Sequence, residues 1–288
     1  MSPVAKTAPA TNESRVVREI KEWGKALLYA IIFGTIIRLF MFETMMVPTE
    51  SMVPTIDPGD RLFVEKITYQ LREPDYGDIV VFWVPFVDKE SLKMLRAFDK
   101  FMDLFSPKEF KGHVKYVKRL VGKPGDVLEL RVAPEYKHLE YELQKYPLDR
   151  NPRYQLYVNG KPLPEVADIR YSKEGIFADK DFYLGLAHPE RVGYSFYKDF
   201  FRAYSNVIDY RGYYDDVLAR LPLQDYIIYD PVTKNIKIKI PDGFYFFMGD
   251  NTLNSFDSRY FGFVPYKNIV GEPMLRIWKL SRFGPLNE

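Results

Sequence analysis

HVKYVKRLVGKPGD, residues 113–126, runs directly into VLELRV, residues 127–132, so two short apolar-polar alternations flank one Gly-Lys-Pro-Gly-Asp turn. A period of two, β-branched residues and a Pro-Gly stop predict strands rather than a helix. On the first strand Val114, Tyr116, Lys118 and Leu120 share one face, while Lys115, Val117, Arg119 and Val121 share the other. Lys118 is therefore expected among mostly apolar neighbours. Burial there disfavours the ammonium and lowers its pKa from about 10.4; reaching neutrality takes roughly 4 kcal/mol at about 1.36 kcal/mol per pH unit, within the range known for buried lysines. The plainer alternative is that Lys118 and Arg119 are solvated residues flanking a strand.

The same pattern recurs outward in both directions. RLFVEKI (61–67), DIVVFWV (78–84), QLYVNGKPL (155–163), NIKIKI (235–240), GFYFFMGD (243–250) and PMLRIWKL (273–280) are short, rich in Val, Ile, Tyr and Phe, and bounded by turn residues. Asn159-Gly160 between apolar runs is a hairpin signal. The body is predicted to be mainly β, with mostly antiparallel strands. Two stretches interrupt it. SLKMLRAFDKFMDLF, within 85–112, is apolar at helical spacing and predicts a short amphipathic helix. Residues 136–229 hold 15 of the 22 tyrosines, and such a density fills the core of a second, inserted lobe at 133–239 more often than it makes a binding platform. No internal repeat or low-complexity tract is visible.

The amino end reads differently. Residues 1–12 lack periodicity and are expected to be a mobile tail. Arg15, Arg18, Lys21 and Lys25 precede ALLYAIIFGTIIRLFMF, residues 26–42, whose single charge is Arg38. At about 1.5 Å per residue, such a helix spans roughly 25 Å against a hydrocarbon core of about 30 Å, a gap that snorkelling of Lys25 and Arg38 can close. A buried core helix and a cleavable secretory signal are the alternatives. No Lys or Arg occurs between Glu43 and Asp60, so the positive-inside rule puts residues 1–25 in the cytoplasm and the body outside. Met45, Met46 and Val47 are expected to dip into the lipid surface.

Composition excludes several chemistries. A formal net charge of +2 lacks the clustered excess that nucleic-acid binding requires. The absence of Cys removes disulfides, thiol catalysis and thiolate metal sites. Three His, His113, His138 and His188, poorly supply a histidine-based metal centre or triad. No nucleotide loop or metal-ligand spacing appears, so no cofactor is implied.

Three segments join reactive groups to turn-forming residues. In VPTESMVPTIDPGD (47–60), Ser51 lies between Pro48 and Pro54, which keep the segment from being regular helix. A serine so held is a candidate nucleophile, although a lone loop serine is usually just solvated. The strand at 113–122 supplies Lys118 as a candidate base. MGDNTLNSFDSRYFG (248–262) crowds Asp250, Asp257, Ser255, Ser258 and Arg259 after an apolar strand. Such a loop can orient catalytic groups, or it can be an ordinary turn with Asp257 and Arg259 as a surface pair.

In this order the segments resemble the bacterial type I signal peptidases, membrane-bound Ser-Lys endopeptidases. The family pattern P-S-x-S-M-x-P-T is matched by Pro48, Thr49, Ser51, Met52, Pro54 and Thr55, and its G-D turn by Gly59-Asp60. Y-x-K-R-x-x-G-x-P-G-D is matched by Tyr116, Lys118, Arg119, Gly122, Pro124, Gly125 and Asp126. G-D-N-x-x-N-S-x-D-S-R-x-x-G is matched by Gly249, Asp250, Asn251, Asn254, Ser255, Asp257, Ser258, Arg259 and Gly262. Thr49 stands where the family usually has Ser, Lys123 replaces an apolar residue, and Thr252-Leu253 replaces an Arg-Asp pair.

The resemblance implies a signal-peptidase-like β domain at 43–132 and 240–288, a transmembrane anchor at 26–42 and the inserted lobe between. It implies Ser51 as nucleophile and Lys118 as general base. Thr49 and the Ser51 N–H would form an oxyanion hole, Ser255 would hydrogen-bond and orient Lys118, and Asp250, Asp257 and Arg259 would brace the loop. The implied substrates are signal peptides of exported preproteins, cut after an Ala-x-Ala-like site by an enzyme whose body faces outward from the bacterial cytoplasmic membrane. Membrane lipid is the other implied partner. A self-cleaving Ser-Lys repressor would carry a DNA-binding domain in place of the apolar segment, and a catalytically dead β domain would not need Ser51, Lys118 and Ser255 together.

Overall fold

The strand read at 113–122 forms as β5 (Lys115–Gly122), and the turn after it leads into β6 (Val127–Val132). The structure is a computed structural model, which describes residues 15–95, 106–132, 154–167, 236–251 and 254–286, with short pieces at 97, 100, 134, 169, 208–209 and 227–229. Most of the segment expected as an inserted lobe, and most of the second half of the helix expected within 85–112, lie outside the described residues. The chain divides into two units, Met1–Phe42 and Glu43–Glu288.

The described part of the first unit is helix α1 (Arg15–Phe40), which begins eleven residues before the apolar run expected at 26–42 and stops short of residue 42. Its apolar side chains are exposed on every side: Leu27, Leu28, Tyr29, Ile31, Ile32, Phe33, Ile36 and Ile37. Among the described residues no helix is long and apolar enough to cross a membrane by itself.

In the second unit, β1 (Phe42–Met46), β2 (Arg61–Glu65), β3 (Ile79–Trp83), β5, β12 (Phe244–Met248), β13 (Val264–Pro265) and β14 (Ile269–Trp278) join in the order β1-β2-β14-β3-β5-β12-β13, with β15 (Gly284–Pro285) beside β14. The pairings for which a register is defined are antiparallel. A second sheet has the order β10-β11-β6-β7-β8, built from Ile227–Tyr229, Ile236–Lys239, β6, Tyr154–Val158 and Lys161–Pro162. The Asn159-Gly160 hairpin joins its last two strands, and both residues have positive φ, 50° and 79°, as this tight turn demands. Helix α2 (Thr68–Leu71) follows β2; a short pair, β4 (Val87–Asp88) with β9 (Ile208–Asp209), lies apart, and β4 leads into helix α3 (Lys89–Met94).

The strand period of two sorts residues among three cores. Val121, Leu128, Leu156, Val158, Ile238, Phe246 and Met248 pack between the two sheets. Val80, Phe82, Leu120, Tyr245 and Phe247 cover one face of the first sheet, with Phe82 stacked on Phe247 at 4.6 Å. Its other face curls round Val47, Leu62, Val64, Ile79, Val81 and Val117, with Met45 and Val270 packed against them. Val47 is thus core rather than lipid-facing, and its N–H is held by the Asp60 carbonyl at 3.0 Å. Both faces of the middle strands are covered, which is why these runs are nearly continuous in apolar residues.

One step along the strands from that last core, the inward positions turn polar. Glu43 lies 2.7 and 2.8 Å from Lys115 Nζ, and 2.7 Å from Lys66 Nζ, while Lys115 sits 4.5 Å over the Trp83 ring. Burial pushes the Glu43 carboxyl up, but the two lysines beside it pull harder and hold it below the usual range. Its charged form is therefore favoured by folding: the stabilisation is complete above about pH 4.5 and is lost as pH falls through the lowered value.

Two outcomes are expected from unfolding measurements on the chain in detergent. Stability falls on acidification below about pH 4.5, and Glu43→Gln removes part of that dependence. Gly271→Ala destabilises by about 1–3 kcal/mol, because an added Cβ would collide with the Glu65 carbonyl where β14 crosses β2.

Candidate active site

The loop after β1 is closed at its base by hydrogen bonds between Val47 N and Asp60 O, 3.0 Å, and between Gly59 N and Val47 O, 2.7 Å. Gly59 has φ of 87°, a left-handed conformation that an L side chain rarely adopts. Met52 and Ile56 are fully buried and pin the loop to the core, so Ser51, just before Met52, is carried inward and is only 5% exposed. Arg276 donates to the Thr55 carbonyl at 2.7 Å, and Arg282 reaches Asp57 and Asp60.

Lys118 comes from the middle of β5, opposite Val80 of β3, and is 4% exposed. Its Nζ lies 2.5 Å from Ser51 Oγ as donor to it, and 5.2 Å from the centre of the Tyr116 ring. The Tyr116 hydroxyl donates to Asp88 at 2.6 Å, which fixes the ring that forms one side of the lysine's surroundings. Thr49 Oγ1 is 3.3 Å from Ser51 Oγ. His113, near this strand, has Nδ1 2.7 Å from the Val84 carbonyl.

The polar loop after β12 meets both. Asp250 accepts two hydrogen bonds from Arg119, 2.8 and 2.7 Å, and one from the Thr55 hydroxyl, 2.5 Å. The Asn251 N–H donates to the Ser51 carbonyl at 3.0 Å, and the Asn251 amide donates to the Glu50 carbonyl at 3.1 Å. A Cβ on Gly249 would fall 2.5 Å from the Ser51 carbonyl oxygen and would collide with Ser255, so only glycine lets these chains approach. Asp257 is fully buried and accepts the Gly249 N–H at 2.9 Å, so it is no surface residue. Ser258, at the start of helix α4 (Ser258–Phe261), accepts the Phe247 N–H at 2.9 Å.

The structure thus brings together Ser51, Lys118, Thr49, Asp250, Asp257 and Ser255. One expected contact is missing: Ser255 Oγ is buried but makes no hydrogen bond among the described residues, so it does not orient Lys118 here and instead packs against Gly249. Gly249 permits that placement, since the hydroxyl occupies the space a side chain there would take. The Arg259 side chain lies outside the described residues. Sequence reasoning assigned no task to Thr55, Asn251 or Gly249, although all three stand within the quoted patterns. Among the described residues no cluster of three or more His, Asp or Glu could hold a metal ion. A hydroxyl beside a buried amine, with backbone held around both, can perform nucleophilic acyl transfer without a cofactor.

The model of the family described as "Signal peptidase, peptidase S26" matches residues 20–278. Probable signal peptidase I-2 of Synechocystis sp. is 28% identical over 267 residues, covering 93% of this chain and 77% of that protein. Signal peptidase I T of Bacillus subtilis is 29% identical over 251 residues, covering 87% and 81% of the two chains. Signal peptidase I of Buchnera aphidicola subsp. Schizaphis graminum is 30% identical over 255 residues, covering 87% and 71%.

Removing the carboxylate at residue 250 takes the counter-charge from the partly buried Arg119 guanidinium. Asp250→Ala is expected to cost about 3 kcal/mol of stability, read by denaturant unfolding, whereas Thr55→Val costs about 1 kcal/mol.

Proposed function

This chain belongs to the signal peptidase family, peptidase S26, whose members are serine endopeptidases, and we propose that it removes signal peptides from exported preproteins with Ser51 and Lys118 as its catalytic dyad. The observation that carries this reading is the 2.5 Å approach of Lys118 Nζ to Ser51 Oγ in a buried setting. With Lys118 deprotonated, the direction of that hydrogen bond reverses and the hydroxyl donates. Ser51 Oγ attacks the scissile carbonyl, its proton passes to Lys118 Nζ, and the C–N bond breaks as Lys118 protonates the leaving amine. Water then attacks the acyl-Ser51 ester, giving its proton to Lys118, and the released Ser51 oxygen is reprotonated.

Thr49 Oγ1 and the Ser51 N–H are the proposed donors to the oxyanion. Asn251 supports them by holding the Glu50 carbonyl with its side-chain amide, which fixes the peptide plane that carries the Ser51 N–H. The substrate is read as an extended peptide with small residues at the first and third positions before the cut, lying along β1, which stands at the end of the strand order.

Helix α1 is the proposed single-pass anchor, with its amino end in the cytoplasm and the body on the outer face. Its exposed apolar side chains surround the helix, so no single packing face exists and lipid is the solvent that suits them. The apolar run before Arg38 is short, and the anchor relies on Lys25 and Arg38 reaching the interfaces. Substrate and enzyme held in one bilayer meet at raised effective concentration.

The test is incubation of the full chain in detergent or liposomes with a model precursor, followed by mass determination of the products. One cut after a small-x-small sequence is expected. Ser51→Ala and Lys118→Ala should each lower cleavage by at least about 10³-fold while keeping the unfolding midpoint, and full activity in either defeats the dyad. Thr49→Val should lower kcat about 10²-fold with little change in KM. The rate should rise along an acid limb and level off below about pH 10.4, where a solvated lysine would still be protonated.

A further inference from the structure

Strands β1 and β5 are separated in the strand order by β2, β14 and β3. In a flat sheet at about 4.8 Å per strand, four steps would put them roughly 19 Å apart. β5 nevertheless touches β1 once and the loop after β1 once. Lys118 of β5 meets Ser51, which follows β1, and Lys115 of β5 holds both carboxylate oxygens of Glu43 in β1 at 2.7 and 2.8 Å. The sheet curls round the core of Val47, Val64, Val81 and Val117 and brings its first strand back opposite its fifth.

The second bridge is rigidly built. Glu43 is 7% exposed and also pairs with Lys66 at 2.7 Å. Lys115 lies over the Trp83 ring, and Trp83 is stacked on Phe110 with ring centres 5.5 Å apart. Lys115 and Lys118 leave β5 on opposite faces, and the two bridges are separated along the strand axis by the rise from residue 115 to residue 118, about 10 Å at about 3.3 Å per residue. That length accommodates about three residues of extended peptide, the number that carries the small-x-small requirement.

We propose that the Glu43–Lys115 ion pair is a positioning clamp: it holds β1 at a set distance from β5 and ends the peptide slot about three residues before the scissile bond, so that one bond only is presented to Ser51. This inference rests on the function proposed above. Neither residue touches the reacting atoms. Without the clamp, β1 is free to shift against β5, and the bound peptide can slip by a residue, since backbone pairing alone specifies register weakly.

The test uses the full chain in detergent with the same precursor, and compares Glu43→Gln, Lys115→Met and Lys115→Arg by product masses, KM, kcat and unfolding midpoint. Lys115→Met leaves the Glu43–Lys66 pair and a side chain to cover Trp83, so it keeps a folded variant in the comparison. In the Gln and Met variants, products cut one or two residues from the native site should reach about a tenth of the total or more. KM should rise several-fold, with kcat at the native bond within about twofold. Lys115→Arg, which retains the charge, should cut at one site. A single native cut with unchanged KM in the folded Lys115→Met enzyme overturns the clamp, as does a loss of rate that tracks the unfolded fraction. A wild-type chain that leaves the precursor intact overturns the proposed function itself and the clamp with it.

Discussion

The carboxylate of Asp250 is the point on which the three polar segments converge. It receives the guanidinium fork of Arg119, next to Lys118 on β5, and the hydroxyl of Thr55, four positions after Ser51 in the serine loop. Asp250 itself follows Gly249, whose bare Cα admits the Ser51 carbonyl and the Ser255 side chain. A buried pair of this kind adds little net stability over an apolar replacement, but removing one partner strands the other charge, so the arrangement tolerates no other placement of its members. Lys118 and Ser51 come from a strand and a loop far apart in the chain, and Asp250 ties the two together through Arg119 and Thr55.

Around that point the sheet performs two tasks. Its middle strands, covered on both faces, make β5 stiff enough to hold Lys118 without help from its own loop. Its curl carries β1 back to β5, so the serine loop begins beside the strand that bears the lysine. The Glu43, Lys66, Lys115 and Trp83 group closes one end of the curled core with charge, where a longer apolar core would otherwise meet water.

Much of this was legible in residue patterns. Strands β2, β3, β5, β6, β11 and β12 fall within the predicted runs and β7 and β14 overlap theirs, β14 beginning four residues earlier, because a two-residue alternation bounded by Gly and Pro is a local property. Strand β1 was not recognised: FETMM follows an apolar helix without a break, and its most buried residue, Glu43, is charged, so no apolar-polar alternation shows. Val47 was read as lipid-facing since nothing local distinguishes an apolar residue in a core from one at a membrane. The grouping of Ser51, Thr49, Lys118, Ser255, Asp250 and Asp257 came from the resemblance; their spacing along the chain carries no distance.

By itself the sequence determined the β-rich class, the apolar helix near the amino end, the absence of thiol chemistry and the residue types available for catalysis, because these depend on composition and short-range period. Only the tertiary structure decided that Lys118 lies 2.5 Å from Ser51, that Ser255 packs on Gly249 rather than bonding the lysine, and that Glu43 meets Lys115 across the curl of the sheet. Two of those contacts join residues 67 and 72 positions apart. Their geometry follows from how three cores pack at once, which no local pattern encodes.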